Sequence, residues 1–199
     1  MLLAAAVTAG DAPLRALDAR APIPYFIAAL SESGNRAEDA ELAEWALRDW
    51  ERAGGGGLSF RAVPEAQALL RLYWVGSGGS QFGEMRPFQL GGRRGAAVFV
   101  RPDTDSLGGP LAERAFRDRL FRDTIVYLTC LHEIGHGLGL DHTRDFRDIM
   151  YFFGYGGDIE KYFLRYRRRV HRRAEFESQS GLSQADIERL RRLYPAAHP

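Results

Sequence analysis

The sequence predicts a single domain of the α+β class, in which a group of strands precedes the main helix. The chain has 199 residues, of which 45% are apolar, and this is enough for one hydrophobic core. Short segments with strand patterns fill the first half, and helical patterns interrupt and follow them. The order is strand, helix, four strands and then helices, so the main helix follows a completed sheet.

Five segments carry strand patterns, and one helix lies among them. Residues 22–30 are the first strand, and a helix of about residues 35–52 follows, with apolar side chains at helical spacing. The glycine run at residues 54–57 ends this helix. The remaining strands are expected at residues 58–63, 69–75, 85–90 and 96–100. Pro87 suits an edge strand, because proline cannot donate a hydrogen bond to a neighbouring strand.

Two helical patterns follow the strands. Pro110 opens the first, which covers residues 111–121. Asp123 is the expected N-cap of the second, which continues to Leu140. The face of this second helix that should pack on the sheet carries Val126, Tyr127, Ile134 and Leu138.

The second helix contains the most informative segment of the chain, HEIGHGLGLDH. His132 and His136 are four residues apart, so on a helix their imidazoles share one face and can hold one zinc ion. Gly139 can take a left-handed conformation that ends the helix and returns His142 as a third ligand. Glu133 can reach a water on that metal. Three protein ligands leave a fourth position open, which indicates a catalytic zinc site.

A chance match is the competing interpretation, because two histidines and a glutamate also occur on solvated helices. Here the glycine and the third histidine fall at the required offsets, and Met150 follows His142 after eight residues. This combination resembles the metzincin metallopeptidases, whose extended motif precedes a methionine-containing turn beneath the zinc. The catalytic zinc site is therefore favoured over a chance match.

Further positions resemble the matrixin branch of the metzincins. Asp145 stands where matrixins have an aspartate before the methionine turn, and Met150 and Tyr151 resemble their Met-Tyr step. Residues 181–195 resemble the matrixin C-terminal helix, with a leading Leu-Ser-Gln and a closing Leu-Tyr. The resemblance implies a zincin-like α+β catalytic domain over residues 22–199, with a twisted, mostly parallel sheet, an active-site helix and a small C-terminal subdomain.

The resemblance also implies an activity. The chain is expected to be a zinc-dependent endopeptidase that hydrolyses peptide bonds through a zinc-bound water, with Glu133 as the general base. Met150 would form an apolar floor under the metal. The pocket for the residue after the scissile bond would be walled by Tyr151, Phe152, Phe153 and Tyr155.

The metal content is expected to be one catalytic zinc ion held by His132, His136 and His142. No histidine precedes His132, so the second, structural zinc of matrixins should be absent. Calcium stays open, since Asp103 and Asp105 offer two carboxylates where calcium takes six to eight oxygens.

A basic segment at about residues 157–178 is longer than its matrixin equivalent and should narrow or cover the pocket. It could form a helix with Ile159, Phe163 and Tyr166 on one side and arginines on the other, solvated and partly balanced by acidic neighbours. His171 in this segment is expected at the surface and not as a ligand.

Two other functional classes stay open. The chain could be an inactive zinc-binding module that presents its cleft to a protein partner, although an intact Glu133 argues against this. It could also act through its arginines on an acidic surface or nucleic acid, although a net charge of +1 argues against a general attraction. We therefore expect a monomer that acts on protein or peptide substrates, without nucleic acid and without stable membrane insertion.

The start of the chain bears on its location. Residues 1–21 begin with MLLAAAVTA and are expected to be either the remnant of a signal sequence or a disordered start. We therefore expect the protein to be secreted or extracytoplasmic.

Overall fold

Five strands form one sheet in the computed structural model, which describes residues 15–29, 36–76 and 82–196. The strands are β1 (Ile23–Ile27), β2 (Phe60–Ala62), β3 (Leu70–Trp74), β4 (Gly83–Leu90) and β5 (Arg93–Val100). They pair in the order β2–β1–β3–β5–β4, and every pairing is parallel except the antiparallel one between β4 and β5. The mostly parallel sheet is therefore confirmed, and Pro87 lies in the edge strand β4 as predicted.

The described residues also form five α-helices. They are α1 (Asp39–Gly54), α2 (Gly109–Arg117), α3 (Arg119–Gly137), α4 (Ile159–Arg167) and α5 (Gln184–Leu193). The α1 and α3 helices pack on each other, and the indole of Trp50 donates to the carbonyl of Leu131 at 3.0 Å. The last turn of α3 lies on the sheet, since a Cβ at Gly137 would be 2.9 Å from Leu70 Cδ1. The main helix thus rests on the apolar face of β3 and β5.

The prediction that Asp123 is the N-cap of the main helix is wrong. The helix begins one turn earlier, at Arg119, and its N-cap is Asp118, whose carboxylate accepts the N–H of Phe121 at 3.1 Å. Asp123 lies inside the helix, buried, where the guanidinium of Arg173 donates to it at 3.2 Å. A buried carboxylate needs such a partner, and that partner comes from a distant part of the chain.

The basic segment forms the predicted helix with an apolar side and an arginine side, but the helix is shorter than expected and its apolar side packs into the domain. The helix α4 ends at Arg167, and a short 3₁₀ turn follows at Arg173–Glu177. Its apolar side chains Phe163 and Tyr166 are buried, as is Phe176 in the turn. The arginines are partly used inside the fold, since Arg167 pairs with Asp118 at 2.9 Å. His171 is exposed.

The described chain is already packed against the domain before residue 22. The side chain of Leu17 is buried, and its N–H donates to the hydroxyl of Tyr194 at 2.8 Å. That hydroxyl donates in turn to the carbonyl of Leu138 at 2.7 Å, beside the end of α3. The apolar start of the chain, residues 1–14, lies outside the described residues. None of the described helices is both long and apolar enough to cross a membrane.

Candidate active site

Three imidazoles converge at the end of α3. Their ring nitrogens lie within 4.8 Å of one another, and the Nε2 atoms of His136 and His142 are 3.1 Å apart. In the part of the chain that the structure describes, they form the only group of three or more histidine, cysteine or acidic side chains that could hold a metal ion. The structure thus brings together the three ligands that the motif predicted.

A glycine turn returns the chain so that the third histidine meets the other two. The N–H of Leu140 donates to the carbonyl of Gly135 at 2.9 Å, and the N–H of Gly139 donates to His136 at 3.0 Å. This is the Schellman pattern of helix termination, which needs a left-handed residue at the position of Gly139, where φ is +100°. A Cβ there would also lie 2.9 Å from the backbone of Arg15. Both constraints require glycine.

Hydrogen bonds orient the two helical imidazoles. Nδ1 of His132 lies 2.7 Å from the carbonyl oxygen of Ile149, and Nδ1 of His136 lies 2.8 Å from that of Leu140. A carbonyl oxygen can only accept, so each Nδ1 carries the proton and each Nε2 keeps its lone pair for the cluster.

The environment keeps the three imidazoles neutral. Burial lowers the pKa of all three, and the neighbouring imidazoles lower those of His136 and His142 further. The pKa of His142 falls to about 4. Neutral imidazole is the form that binds a metal ion, so the electrostatics agree with the geometry.

The methionine turn lies directly against this part of the helix. Met150 is fully buried, and a Cβ at Gly135 would lie 2.5 Å from its sulfur. The N–H of Thr143 donates to the carbonyl of Met150 at 2.8 Å, and the N–H of Phe152 donates back to Thr143 at 3.2 Å. Because Thr143 follows His142, these two bonds fix the third ligand relative to the turn.

Glu133 places a carboxylate beside the histidine cluster. Its side chain is only 3% exposed, and Oε2 has no hydrogen-bond partner among the residues described. Burial raises the pKa of Glu133 to about 8, and the negative charge of Glu84 adds to the shift. A buried oxygen without a partner, at the wall of a cleft, is available to a reactant.

A cleft that is partly open to solvent extends from His132 and Glu133 along α3. Three of the four residues expected to wall the pocket line it, namely Tyr151, Phe152 and Phe153. Besides His132, Glu133 and His142, the cavity is lined by residues that the sequence did not assign to it, which are Phe82, Gly83, Leu128, Thr129, Tyr162 and Phe163. The wall is predominantly apolar and aromatic.

The model of the matrixin family matches residues 19–164 of this chain. The chain belongs to the matrixin family. It is also similar to the macrophage metalloelastase of Oryctolagus cuniculus, with 27% identity over 124 residues, which is 60% of this chain and 25% of that protein. The chain therefore matches about a quarter of the length of this curated relative.

Membership of the matrixin family implies zinc as the metal, and the site of this matrixin fits it. Zinc prefers nitrogen and sulfur ligands in tetrahedral geometry, and three neutral imidazoles supply three of its four positions. The carbonyls of Ile149 and Leu140 hold the two helical ligands in the required tautomer.

Asp186, which the sequence analysis did not single out, anchors the methionine turn of this matrixin from α5. It is completely buried, and its carboxylate accepts the N–H of Ile149 at 2.8 Å. Arg189 donates to the same carboxylate at 2.7 Å and to Asp148 at 2.9 Å. The carbonyl of Ile149 holds His132, so the C-terminal helix supports a ligand through the backbone of this one residue. The capping box that Ser183 and Asp186 form is the local signal that could have revealed this residue.

Asp186→Ala should lower the free energy of unfolding by about 3 kcal/mol, because it leaves the N–H groups of Ile149 and Ser183 without an acceptor and removes one of the two carboxylates that pair with Arg189. Chemical denaturation of the metal-free protein measures this loss. The exposed Glu188 on the same helix provides the control, since Glu188→Ala should change stability by less than about 0.5 kcal/mol. Equal stabilities for the two variants would contradict the anchoring role.

Other residues considered in the sequence analysis lie apart from the cavity. Tyr155 is 51% exposed and does not line the cavity. The guanidinium of Arg144 stacks on one face of its ring, 4.9 Å from the ring centre. The backbone N–H of Asp105 donates to Asp103 at 2.9 Å. Among the described residues, no group of three or more potential metal ligands includes Asp103 or Asp105. Calcium binding at these two carboxylates therefore stays an open question.

Proposed function

We propose that this matrixin is an endopeptidase with one catalytic zinc ion, in which Glu133 is the general base. Family membership supports a zinc metalloprotease in general terms. The observation that carries the specific proposal is the buried, unpartnered Oε2 of Glu133, placed between three convergent imidazoles and an apolar cavity. A protein that only bound zinc would gain nothing from an uncompensated carboxylate in that position.

Each side chain has a distinct role in the proposed reaction. His132, His136 and His142 hold the metal, which when bound supplies the Lewis acidity for activating water and polarising the scissile carbonyl. Glu133 takes a proton on its carboxylate from the attacking water and passes it to the nitrogen of the leaving amine. Met150 supports the ligands from below and contributes no proton transfer.

The cavity favours substrates with an apolar side chain just after the scissile bond. Its hydroxyl groups are used by the protein itself, since Tyr151 donates to Gly156 at 2.8 Å and Thr129 donates to Ile125 at 2.8 Å. The hydroxyl of Tyr162 likewise donates to a backbone carbonyl at 3.1 Å. A charged substrate side chain would lose its hydration without gaining partners there, at a cost of several kcal/mol.

The basic segment shapes this specificity through α4. Tyr162 and Phe163 close the cavity, while Arg165 turns away and donates to the carbonyl of Phe146 at 2.8 Å. Arg167 and Arg173 likewise bond inside the fold, which reduces the basic surface that nucleic acid could contact. Protein or peptide partners, a monomeric state and secretion remain predictions.

Phe163→Ala should broaden the preference toward larger aromatic residues after the scissile bond, because it lengthens the cavity. The ratio of kcat/KM for the tryptophan peptide to kcat/KM for the leucine peptide should rise about 10- to 200-fold, the range found for size discrimination in apolar pockets. The measurement compares peptides that carry alanine, leucine, phenylalanine or tryptophan at that position. Leu164→Ala removes a neighbouring apolar side chain that does not line the cavity, and it should leave the preference unchanged.

A single substitution is a cleaner test than shortening the whole segment. Tyr166 and Phe176 are buried in the core, so deletion of residues 157–178 would remove part of the core as well as the cavity wall. An unchanged profile in the Phe163 variant would show that α4 does not set the specificity.

Cleavage of a peptide library with and without a metal chelator tests the proposed activity. Chelator-sensitive cleavage with an apolar preference is expected. Zinc binding without any cleavage would instead support the inactive binding module, whose cleft is presented to a protein partner.

A further inference from the structure

The first residue of the edge strand β4 contacts Glu133 more closely than a side chain would permit. Gly83 is the last glycine of the glycine-rich run 76–83, part of which lies outside the described residues. A Cβ built on Gly83 would lie 2.5 Å from Oε1 of Glu133 and 2.7 Å from its Cδ, and it would also overlap Cγ. Real Cβ atoms do not approach other atoms this closely. The carboxylate therefore occupies the space that any side chain at this position would take.

The backbone at Gly83 does not itself need glycine. Gly83 is not among the glycines with positive φ, and it pairs in regular antiparallel register with Val100. Any L-residue could adopt this extended conformation. Glycine is therefore required because the Glu133 side chain occupies the space that a Cβ at position 83 would take.

We propose that Gly83 is a positioning residue for the proposed general base, and this inference rests on the function proposed above. The missing side chain leaves a recess at the start of β4, in which the carboxylate of Glu133 is held beside the histidines. The α3 backbone cannot shift away easily, because the Trp50 indole and the Leu70 side chain pack against this part of the helix. A methyl group at position 83 would therefore displace the carboxylate toward the open cleft.

Gly83→Ala should lower kcat about 100-fold, the usual effect of moving a reacting group by about 1 Å. KM and zinc content should change little, because the three atoms nearest to the added methyl group all belong to Glu133 and not to the aromatic wall or the three imidazoles. In a Glu133→Ala background the same substitution should cause no further loss of activity, since the two changes act on one group.

Gly95→Ala is the matched control. It adds a methyl group to β5, in the same hairpin, and its Cβ would lie 2.5 Å from Cε2 of Phe88. It makes the same chemical change with a comparable steric conflict but does not touch Glu133. Its kcat should stay within a few-fold of the unmodified protein, on the reasoning that distant sites act independently.

A crystal structure of the Gly83→Ala variant separates this inference from the proposed function. A displaced Glu133 carboxylate supports the inference even if the unmodified protein cleaves no peptide, an outcome that would remove only the proposed activity. An unmoved carboxylate, or a wild-type kcat, would overturn the inference. If the variant does not fold, Gly83→Ala combined with Glu133→Ala must fold, and failure of the double variant would also overturn it.

Discussion

Glu133→Ala is expected to lower kcat by about 100- to 10,000-fold, the usual contribution of a general base. The zinc ligands flank this residue on α3 but do not hydrogen-bond to it, so zinc content should be unchanged. Steady-state kinetics on a peptide with an apolar residue after the scissile bond measure the loss. Metal analysis of the same preparation shows whether the ligands are intact.

The same substitution should not weaken the fold. Burying a polar oxygen without a partner costs free energy, so removal of the carboxylate should leave the midpoint of thermal unfolding unchanged or raise it. A gain in stability with a loss of activity is the pattern expected where a site is kept for function.

A second carboxylate provides the control for the glutamate variant. Glu113 is exposed on α2 and pairs with Arg117, away from the cavity lining. Glu113→Ala should alter neither kcat nor zinc content. If Glu133→Ala cleaves peptide at the unmodified rate while zinc remains bound, another group must act as the base.

The sequence predicted the metal site because its geometry is local. Two histidines four residues apart share a helix face by the period of the helix alone. The turn at Gly139 follows from the same stretch, since a glycine after the last helical residues is the usual way to reverse the chain. These rules need no knowledge of the rest of the fold.

The cavity could not be predicted in the same way, because its wall is assembled from distant segments. Phe82 immediately precedes β4, whereas Tyr162 and Phe163 come from α4. The basic segment was expected to cover the pocket, but nothing in the local sequence indicates which of its side chains meet Phe82 there. The role of Asp123 was misjudged for a related reason. An aspartate in a helical pattern resembles an N-cap, whereas the pairing of Asp123 with Arg122 and with the distant Arg173 explains a buried carboxylate within the helix.

The support of the site also depends on long-range contacts. The His132 imidazole is oriented by the carbonyl of Ile149, and the N–H of Ile149 is held by Asp186 from the last helix. The family match ends at residue 164, before this helix begins. The C-terminal part of the chain thus contributes to the metal site although it supplies no ligand.

The purified protein should bind one zinc ion per chain, and His136→Ala should abolish both tight binding and peptidase activity. Removing a residue that hydrogen-bonds to a metal ligand typically lowers the affinity for the metal about 10- to 100-fold. Removing a ligand itself should lower the affinity more. Elemental analysis after dialysis measures the stoichiometry. His171→Ala is the matched control, because His171 is exposed and lies outside the cluster, and this variant should keep its zinc.

Thermal unfolding provides a second measurement that does not depend on activity. Free zinc at 100 times its dissociation constant should stabilise the unmodified protein by about 2.7 kcal/mol, because the folded state alone presents the complete site. For a chain of this size the midpoint should rise by roughly 5 to 10 °C. The His136 variant should show little of this rise, and the His171 variant should show all of it. Two tightly held zinc ions per chain would contradict the single-site prediction, since they would require ligands besides the three converging imidazoles.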